Sequence, residues 1–218
     1  MARIVVSQFV SLDGVIEDPG GAESWDRGGW AFKFERGPEG DQFKLDEVMT
    51  ADALLLGRTT YEGFAEAWPT RTGDFADKFN GMRKYVVSSS MGEAAWSNSV
   101  VVKPDELVDT VTKLRQEPGG DVLVNGSAQL VAALRANDLV DEYRLMVFPT
   151  VLGAGKRLFG DGDVSTLRLM DAKPAGETLI LVYEPVRTRS DRAHADRTGR
   201  VRADRPGVGP QAGSRGGA

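Results

Sequence analysis

Two short stretches of this chain have the residue types to hold an anion. Gly57-Arg58-Thr59-Thr60 follows the apolar run Leu54 to Leu56 and precedes Tyr61-Glu62, which reads as the opening of a helix. An apolar run closed by a turn signal fits a strand buried on both faces. A strand that ends in Gly and opens a helix leaves free backbone N–H groups beyond its carboxyl end, a ready phosphate site. Arg58 and the two threonine hydroxyls add side-chain donors. The plainer reading is that Gly57 permits the turn and a threonine caps the helix, and these residues alone leave both open. Val122-Leu123-Val124 repeats the theme, followed by Asn125-Gly126-Ser127 and a helix that opens with Ala128 and Gln129. The G-x-G-x-x-G fingerprint is absent, so an ordinary Rossmann domain is not implied. Nor is a P-loop: Gly153-Ala154-Gly155-Lys156 lacks the required spacing, and Arg157 follows the Lys.

Acid–base equipment is sparse. The single histidine is His194, close to the carboxyl terminus, and there is no cysteine. The body of the chain therefore holds no Ser-His-Asp triad, no zinc site of His or Cys, and no disulfide. The H-x-E and P-C-x-x-C signature of the zinc deaminases is missing too. No metal is expected. What remains are carboxylates such as Asp13, in the turn Ser11-Leu12-Asp13-Gly14, and Asp41, at the first turn of a helix over 41–49. A carboxylate there suits the helix dipole whether or not it does chemistry. Two phosphate-cradling turns with few acids and bases suit a cofactor enzyme, in which the cofactor carries the hard step and the protein orients it.

The elements that must position these residues can be read in order. Arg3 to Val10 is β-branched and apolar, as are Lys84 to Val87 and Ser99 to Val102, and all three read as strands. Ser88, Ser89 and Ser90 form a turn after the second of them. Residues 105–116 place Leu107, Val108, Val111 and Leu114 on one helical face, between Pro104 and Pro118-Gly119-Gly120. A short polar helix is expected around 74–81. Leu139 to Val147 leads into Phe148 to Lys156, and strands 166–172 and 178–183 are joined by a hairpin at 174–177. Residues 17–40 are rich in glycine and charge, with Trp25, Trp30, Phe32 and Phe34 interspersed. They read either as a pocket wall for a flat ring or as a loop pinned to the core by its aromatics.

Length and composition agree with a globular α/β protein. The chain has 218 residues, 41% of them hydrophobic. Residues 186–218 hold eight Arg and three Asp, leaving 19 basic and 29 acidic residues in 1–185. An acidic body disfavours nucleic acid as a partner. No membrane-spanning run and no signal peptide are evident, so a soluble cytoplasmic protein is the expectation. Residues 186–218 lack aromatics and are expected to form a disordered, Arg- and Gly-rich tail behind a single domain over 1–185.

Taken in order, S-L-D-G after the first strand, G-R-T-T-Y-E after the second, N-G-S after Val124, and V-L-G-A-G-K-R-L-F at 151–159 resemble the dihydrofolate reductase-like family. They are most similar to stand-alone proteins like the reductase domain of riboflavin biosynthesis. The resemblance spans roughly residues 1 to 185. It implies one α/β domain with a central, mixed but mostly parallel sheet flanked by helices and closed by a C-terminal antiparallel hairpin. It implies NADPH held by Gly57, Arg58, Thr59, Thr60, Ser88, Ser89, Ser90, Asn125, Gly126, Ser127, Ala128 and Gln129. It places substrate at Ser11, Asp13, Gly14, Trp30, Leu152 and Gly153. Asp41 stands sixteen residues before Gly57, where dihydrofolate reductases carry their acidic substrate contact, and so becomes the candidate catalytic acid. Riboflavin-type relatives usually have Lys after the S-L-D-G glycine, and this chain has Val15. The expected activity is NADPH-dependent reduction of a small flat heterocycle, pterin- or aminopyrimidine-like, by a homodimer. The alternative is a nucleotide-binding or regulatory relative without turnover.

Overall fold

Eight runs rich in β-branched and aliphatic residues become strands of one sheet. They are β1 (Ile4–Ser11), β2 (Ala51–Gly57), β3 (Arg83–Val87), β4 (Ser99–Val102), β5 (Asp121–Val124), β6 (Glu142–Phe148), β7 (Leu167–Ala175) and β8 (Thr178–Pro185). The structure, a computed structural model, describes residues 1–160 and 164–187. The strand order is β4-β3-β2-β5-β1-β6-β8-β7. Every neighbouring pair from β4 to β6 is parallel. The β6–β8 and β8–β7 pairs are antiparallel. The expected mixed sheet with its closing hairpin is therefore present.

Parallel neighbours need crossovers, and five helices serve: α1 (Gly37–Thr50), α2 (Arg58–Ala67), α3 (Asp74–Gly81), α4 (Leu107–Gln116) and α5 (Ala128–Ala136). They cover both faces. Leu107, Val111 and Leu114 of α4 and Leu130, Val131 and Leu134 of α5 pack with Ile4, Val6 and Val10 of β1. Val48 of α1, Tyr61 of α2 and Phe79 of α3 pack with Val5 and Leu54 on the other face. Leu54, Leu55 and Leu56 have no exposed surface, as a strand covered on both sides requires.

Two boundaries differ from the sequence reading. The first helix opens at Gly37 rather than Asp41, with Pro38 in its first turn, a position that proline's fixed φ favours. The hairpin turn is only Gly176-Glu177, because Pro174 and Ala175 stay paired with Leu179 and Thr178. Proline is tolerated there because β7 is an edge strand. Gly176 has φ 55°, and a Cβ on it would lie 2.3 Å from the Glu35 carbonyl oxygen. The hairpin thus turns against the chain just before α1. One unit of chain runs Met1–Val186. The tail expected to be disordered lies, from residue 188 on, outside the described residues.

Candidate functional site

Strand lengths open a crevice. β5 stops at Val124, level with Val6 of β1. β1 continues to Ser11, paired on its other side with β6 as far as Phe148. From Ser7 onward the β5-facing edge of β1 has no strand beside it. The crevice is closed on the far side by the end of β2. The helices that leave β2 and β5 go to opposite faces of the sheet, the arrangement that places ligand sites at the carboxyl ends of parallel strands.

The two turns at this crevice touch. The Gly57 N–H donates to the Gly126 carbonyl at 3.1 Å. A Cβ on Gly57 would lie 2.4 Å from Ser127 Oγ and 3.1 Å from the Ser127 backbone nitrogen. A Cβ on Gly126, whose φ is 122°, would lie 2.7 Å from Thr60 Oγ1. Neither turn admits a side chain, so the amino ends of α2 and α5 are drawn together. Gly57 and Ser127 are the residues that open these helices, and neither helix end carries a side-chain cap. Two sets of uncapped N–H groups, each with the positive end of a helix dipole behind it, therefore face one crevice. The Gly126–Ser127 peptide is cis. Asn125 is held to β1 by a 3.5 Å bond from its amide to the Ser7 carbonyl, while its Oδ1 is buried without a partner. Ala128 and Gln129 form the first turn of α5.

Arg58 is exposed beside the first turn and, among the described residues, bonds Glu62 alone, at 3.2 Å. An exposed pair one helical turn apart contributes little and is readily exchanged for a ligand. β3 ends beside β2, with Val87 opposite Gly57, which brings Ser88 to Ser90 to the same rim. Ser88 is buried, and its Oγ accepts the backbone N–H groups of Ser90 and Met91 at 3.2 and 3.0 Å. It shapes the turn that exposes Ser89 and Ser90.

The substrate-side residues also meet, through Asp13. The Ser11 hydroxyl donates to Asp13 Oδ1 at 2.6 Å. The amides of Leu152 and Gly153 donate to its two oxygens at 3.1 and 2.8 Å. The Ser11 hydroxyl above all, and then these amides, hold the Asp13 carboxyl at about 2, against the opposing effect of burial. Asp13 is thus a staple between segments 139 residues apart. Gly14, at φ 82°, turns the chain, and its carbonyl accepts the Leu158 N–H. Leu12 and Val151 stand exposed on this stapled rim.

Trp30 and Asp41 are placed otherwise than expected. Trp30 is 1% exposed. Its indole N–H donates to the Glu17 carbonyl at 2.9 Å, and its ring meets Phe148 edge-on at 5.5 Å. Phe34 and Trp25 pack on the same cluster, whereas Phe32 is exposed. Trp25, Trp30 and Phe34 pin the loop to the core. Asp41 is the fifth residue of α1, is 64% exposed, and is ion-paired with Arg36.

The sequence reading passed over Ser7, Lys44 and Glu47. Lys44 Nζ lies 2.5 Å from both Ser7 Oγ and Glu47 Oε2, and Ser7 Oγ is 3.1 Å from Glu47 Oε2. The Glu47 side chain is 2% exposed, and its Oε1 has no partner. A signal existed. Gly40, Lys44, Glu47 and Val48 form the inward stripe of a helix, so two charged residues had to be buried against the sheet.

Residues 2–181 match the RibD C-terminal domain family. This chain belongs to that family. It is 30% identical to YyaP of Bacillus subtilis over 73% of this chain and 81% of that one. It is 32% identical to YwjB of the same organism over 83% and 97%. Both relatives are uncharacterised. A Shewanella sp. PV-4 protein linked by name to riboflavin biosynthesis superposes with TM-score 0.68, at 22% identity, over 86% of this chain and all of that one. RibD of Acinetobacter baumannii gives TM-score 0.59 at 19% identity, over 86% of this chain and 59% of that one. At those identities the solved structures speak to the fold, which is dihydrofolate reductase-like. The family is one of reductase domains that generally use NADPH.

Proposed function

We propose that this member of the RibD C-terminal domain family is an NADPH-dependent reductase of a small flat heterocycle, pterin- or aminopyrimidine-like. The observation that carries the reading is the contact of the two glycine turns, which sets two uncapped helix amino ends on one crevice. That arrangement suits a dinucleotide pyrophosphate, because uncapped N–H groups at two helix amino ends offer donors and positive dipole ends to its oxygens. Arg58, Thr59, Thr60 and Ser88 to Ser90 lie on the rim where a ribose 2′-phosphate would be met. Asn125, Gly126, Ser127, Ala128 and Gln129 would hold the pyrophosphate. NADPH, when bound, supplies hydride. The chain orients it, shields the crevice with the rim joined by Ser11, Asp13, Leu152 and Gly153, and offers Leu12 and Val151 as apolar surface for a planar ring. In this reading Trp30 and Gly14 support the rim from behind.

Titration with NADPH and with NADH tests this. NADPH is expected to bind at least tenfold more tightly, and Arg58→Ala to remove most of that preference. A charge-assisted contact contributes about 1.5–3 kcal/mol. Equal affinities in the unaltered protein would sink the assignment. A second reading, nucleotide binding without turnover, draws on the exposure of Asp41 and its engagement by Arg36. Its signature would be tight NADPH binding with no oxidation by any pterin or pyrimidine amine tried.

We extend the proposal to a homodimer. The support is the edge strand β7, on which Leu169 and Met170 are about half exposed, an arrangement that soluble proteins usually cover. Light scattering at micromolar concentration is expected to give twice the chain mass, and a monomer mass would refute it.

A further inference from the structure

Three polar side chains at the crevice floor remain unexplained by cofactor binding. Strand register puts Ser7 one residue past the Val6–Val124 pair, level with Asn125 and one step below the joined turns. Lys44 and Glu47 reach it from α1, on the face of the sheet that carries Phe9. Burying a carboxylate beside an ammonium is costly, and such a pair often gives less stability than apolar residues of the same size. The pair ties α1 to β1 through Ser7, a task that apolar packing could do at less cost. Its geometry is also incomplete. Glu47 Oε1 is orphaned, as is Asn125 Oδ1 on the other side of Ser7. Buried orphans of this kind call for an account.

The ammonium is the group that can reach out. An ammonium has three N–H donors, and two of those of Lys44 are directed at Ser7 Oγ and Glu47 Oε2. Its side chain is 13% exposed while that of Glu47 is 2% exposed, so of the two partners Lys44 is the one with access to solvent. Lys44 Nζ also lies 5.4 Å from the Phe9 ring centroid, a contact that keeps the cation over the strand. Phe9 belongs to the stretch of β1 whose β5-facing edge is open.

We propose that Lys44 is the proton donor of this crevice, with Glu47 and Ser7 as positioning residues. The inference rests on the reductase reading above. In the step, hydride adds to the ring carbon of a C=N bond, and the π pair moves to nitrogen. That nitrogen takes a proton from Lys44, which is left as the neutral amine and is recharged from solvent, to which its side chain is partly exposed. Glu47 and Ser7 fix the position of the amine through the step.

Two measurements test this. The first needs no turnover: lysine acetylation by acetic anhydride, mapped by mass spectrometry, with and without saturating NADPH. Lys44 labelling is expected to fall at least fivefold, with exposed Lys113 of α4 as the unaffected control. Equal labelling of Lys44 in both states would place it away from the cofactor and overturn the proposal. The second is single-turnover loss of NADPH absorbance with 7,8-dihydrobiopterin or an aminopyrimidine carrying a C=N bond. Lys44→Ala is expected to bind NADPH within about twofold of the parent and to react at least about a hundredfold more slowly, the usual worth of a positioned general acid. Ethylammonium ion should restore part of that rate. Glu47→Gln should lower the rate constant with little change in substrate half-saturation. An undiminished rate in Lys44→Ala, a loss that ethylammonium does not touch, or a parent that reduces none of these substrates would overturn the role of Lys44. Failure of the parent to bind NADPH would overturn the reductase reading itself.

Discussion

The two ends of the central strands solve opposite problems. At the amino ends of β1, β5 and β6 every charge is answered. Arg3 bonds Asp121 at 3.0 and 2.9 Å and Glu142 at 2.8 Å. Arg144 bonds the same two carboxylates at 2.9 and 2.6 Å. Asp121 and Glu142 are each buried, and two guanidiniums make that tolerable because their planar forks satisfy several carboxylate lone pairs at once. At the carboxyl ends of β1, β2 and β5 the accounts stay open. Two helices begin without side-chain caps, Asn125 and Glu47 each keep an orphaned oxygen, and Arg58 holds, among the described residues, only the exposed Glu62. Both ends are rich in polar groups. Among the described residues, only the second leaves some of them without internal partners, and a ligand is the natural supplier.

The comparison breaks most visibly at the closed end. Asp121→Ala would leave Arg3 and Arg144 to share Glu142 alone. Removing one partner of a buried ionic network costs about 3 kcal/mol, or a fall of roughly 6–12 °C in melting temperature for a domain of this size. NADPH affinity of the folded protein should stay within about twofold. A variant that melts normally but loses NADPH would reverse the assignment of the two ends. The open end should respond the other way. Gly57→Ala needs no unusual backbone angle, since Gly57 has φ −74°, so its only effect is to push Ser127 aside. We expect about 1 kcal/mol of lost stability, within the ordinary range for one substitution. NADPH binding should weaken at least about tenfold, read by fluorescence titration. Unchanged affinity would mean that the joined turns are not the cradle.

How much of this was legible follows the same division. The strands and crossover helices were readable because their apolar residues keep a regular period, as in Leu54 to Leu56 or Leu107, Val111 and Leu114. The two glycine turns were readable because Gly after an apolar run has few other uses. Their contact was not, since it depends on β2 and β5 lying side by side although 64 residues separate the Gly57 and Asp121 positions. Asp13 looked like a substrate ligand because the loop at Leu152 and Gly153 that consumes its oxygens is remote in sequence. Whether Trp30 walled a pocket or pinned its loop stayed open in the sequence, because Phe148, which meets its ring edge-on, is remote in the chain. Lys44 and Glu47 went unremarked, because only the sheet beneath α1 shows that this charged pair, three residues apart on a helix, faces inward. Asp41 was read as a helix-start acid. Pro38, the better start signal, places it a turn too late for that role.

The smallest expected effect concerns the staple that joins the open end's rim. Asp13 accepts from Ser11, Leu152 and Gly153, and its carboxyl is held at about 2, below its ordinary value of 3.8. A group depressed in the folded state contributes stability above its unfolded value, and that contribution is lost as pH falls through the folded value. The contribution of Asp13 should therefore be complete at pH 5 and above and should fade between about pH 4 and 2. Asp13→Asn keeps the shape but turns one acceptor into an N–H donor facing a backbone amide. Because the residue is only partly buried, the melting temperature at pH 7 should fall by no more than a few degrees. The gap between variant and parent should then narrow in melts taken at successively lower pH from 4 toward 2. A gap that keeps its full size at the lowest pH would show that the charge of Asp13 contributes nothing. The rim would then be joined by the backbone bonds from Leu12 to Thr150, Ile16 to Lys156 and Leu158 to Gly14, and the open end would owe none of its shape to an ionised side chain.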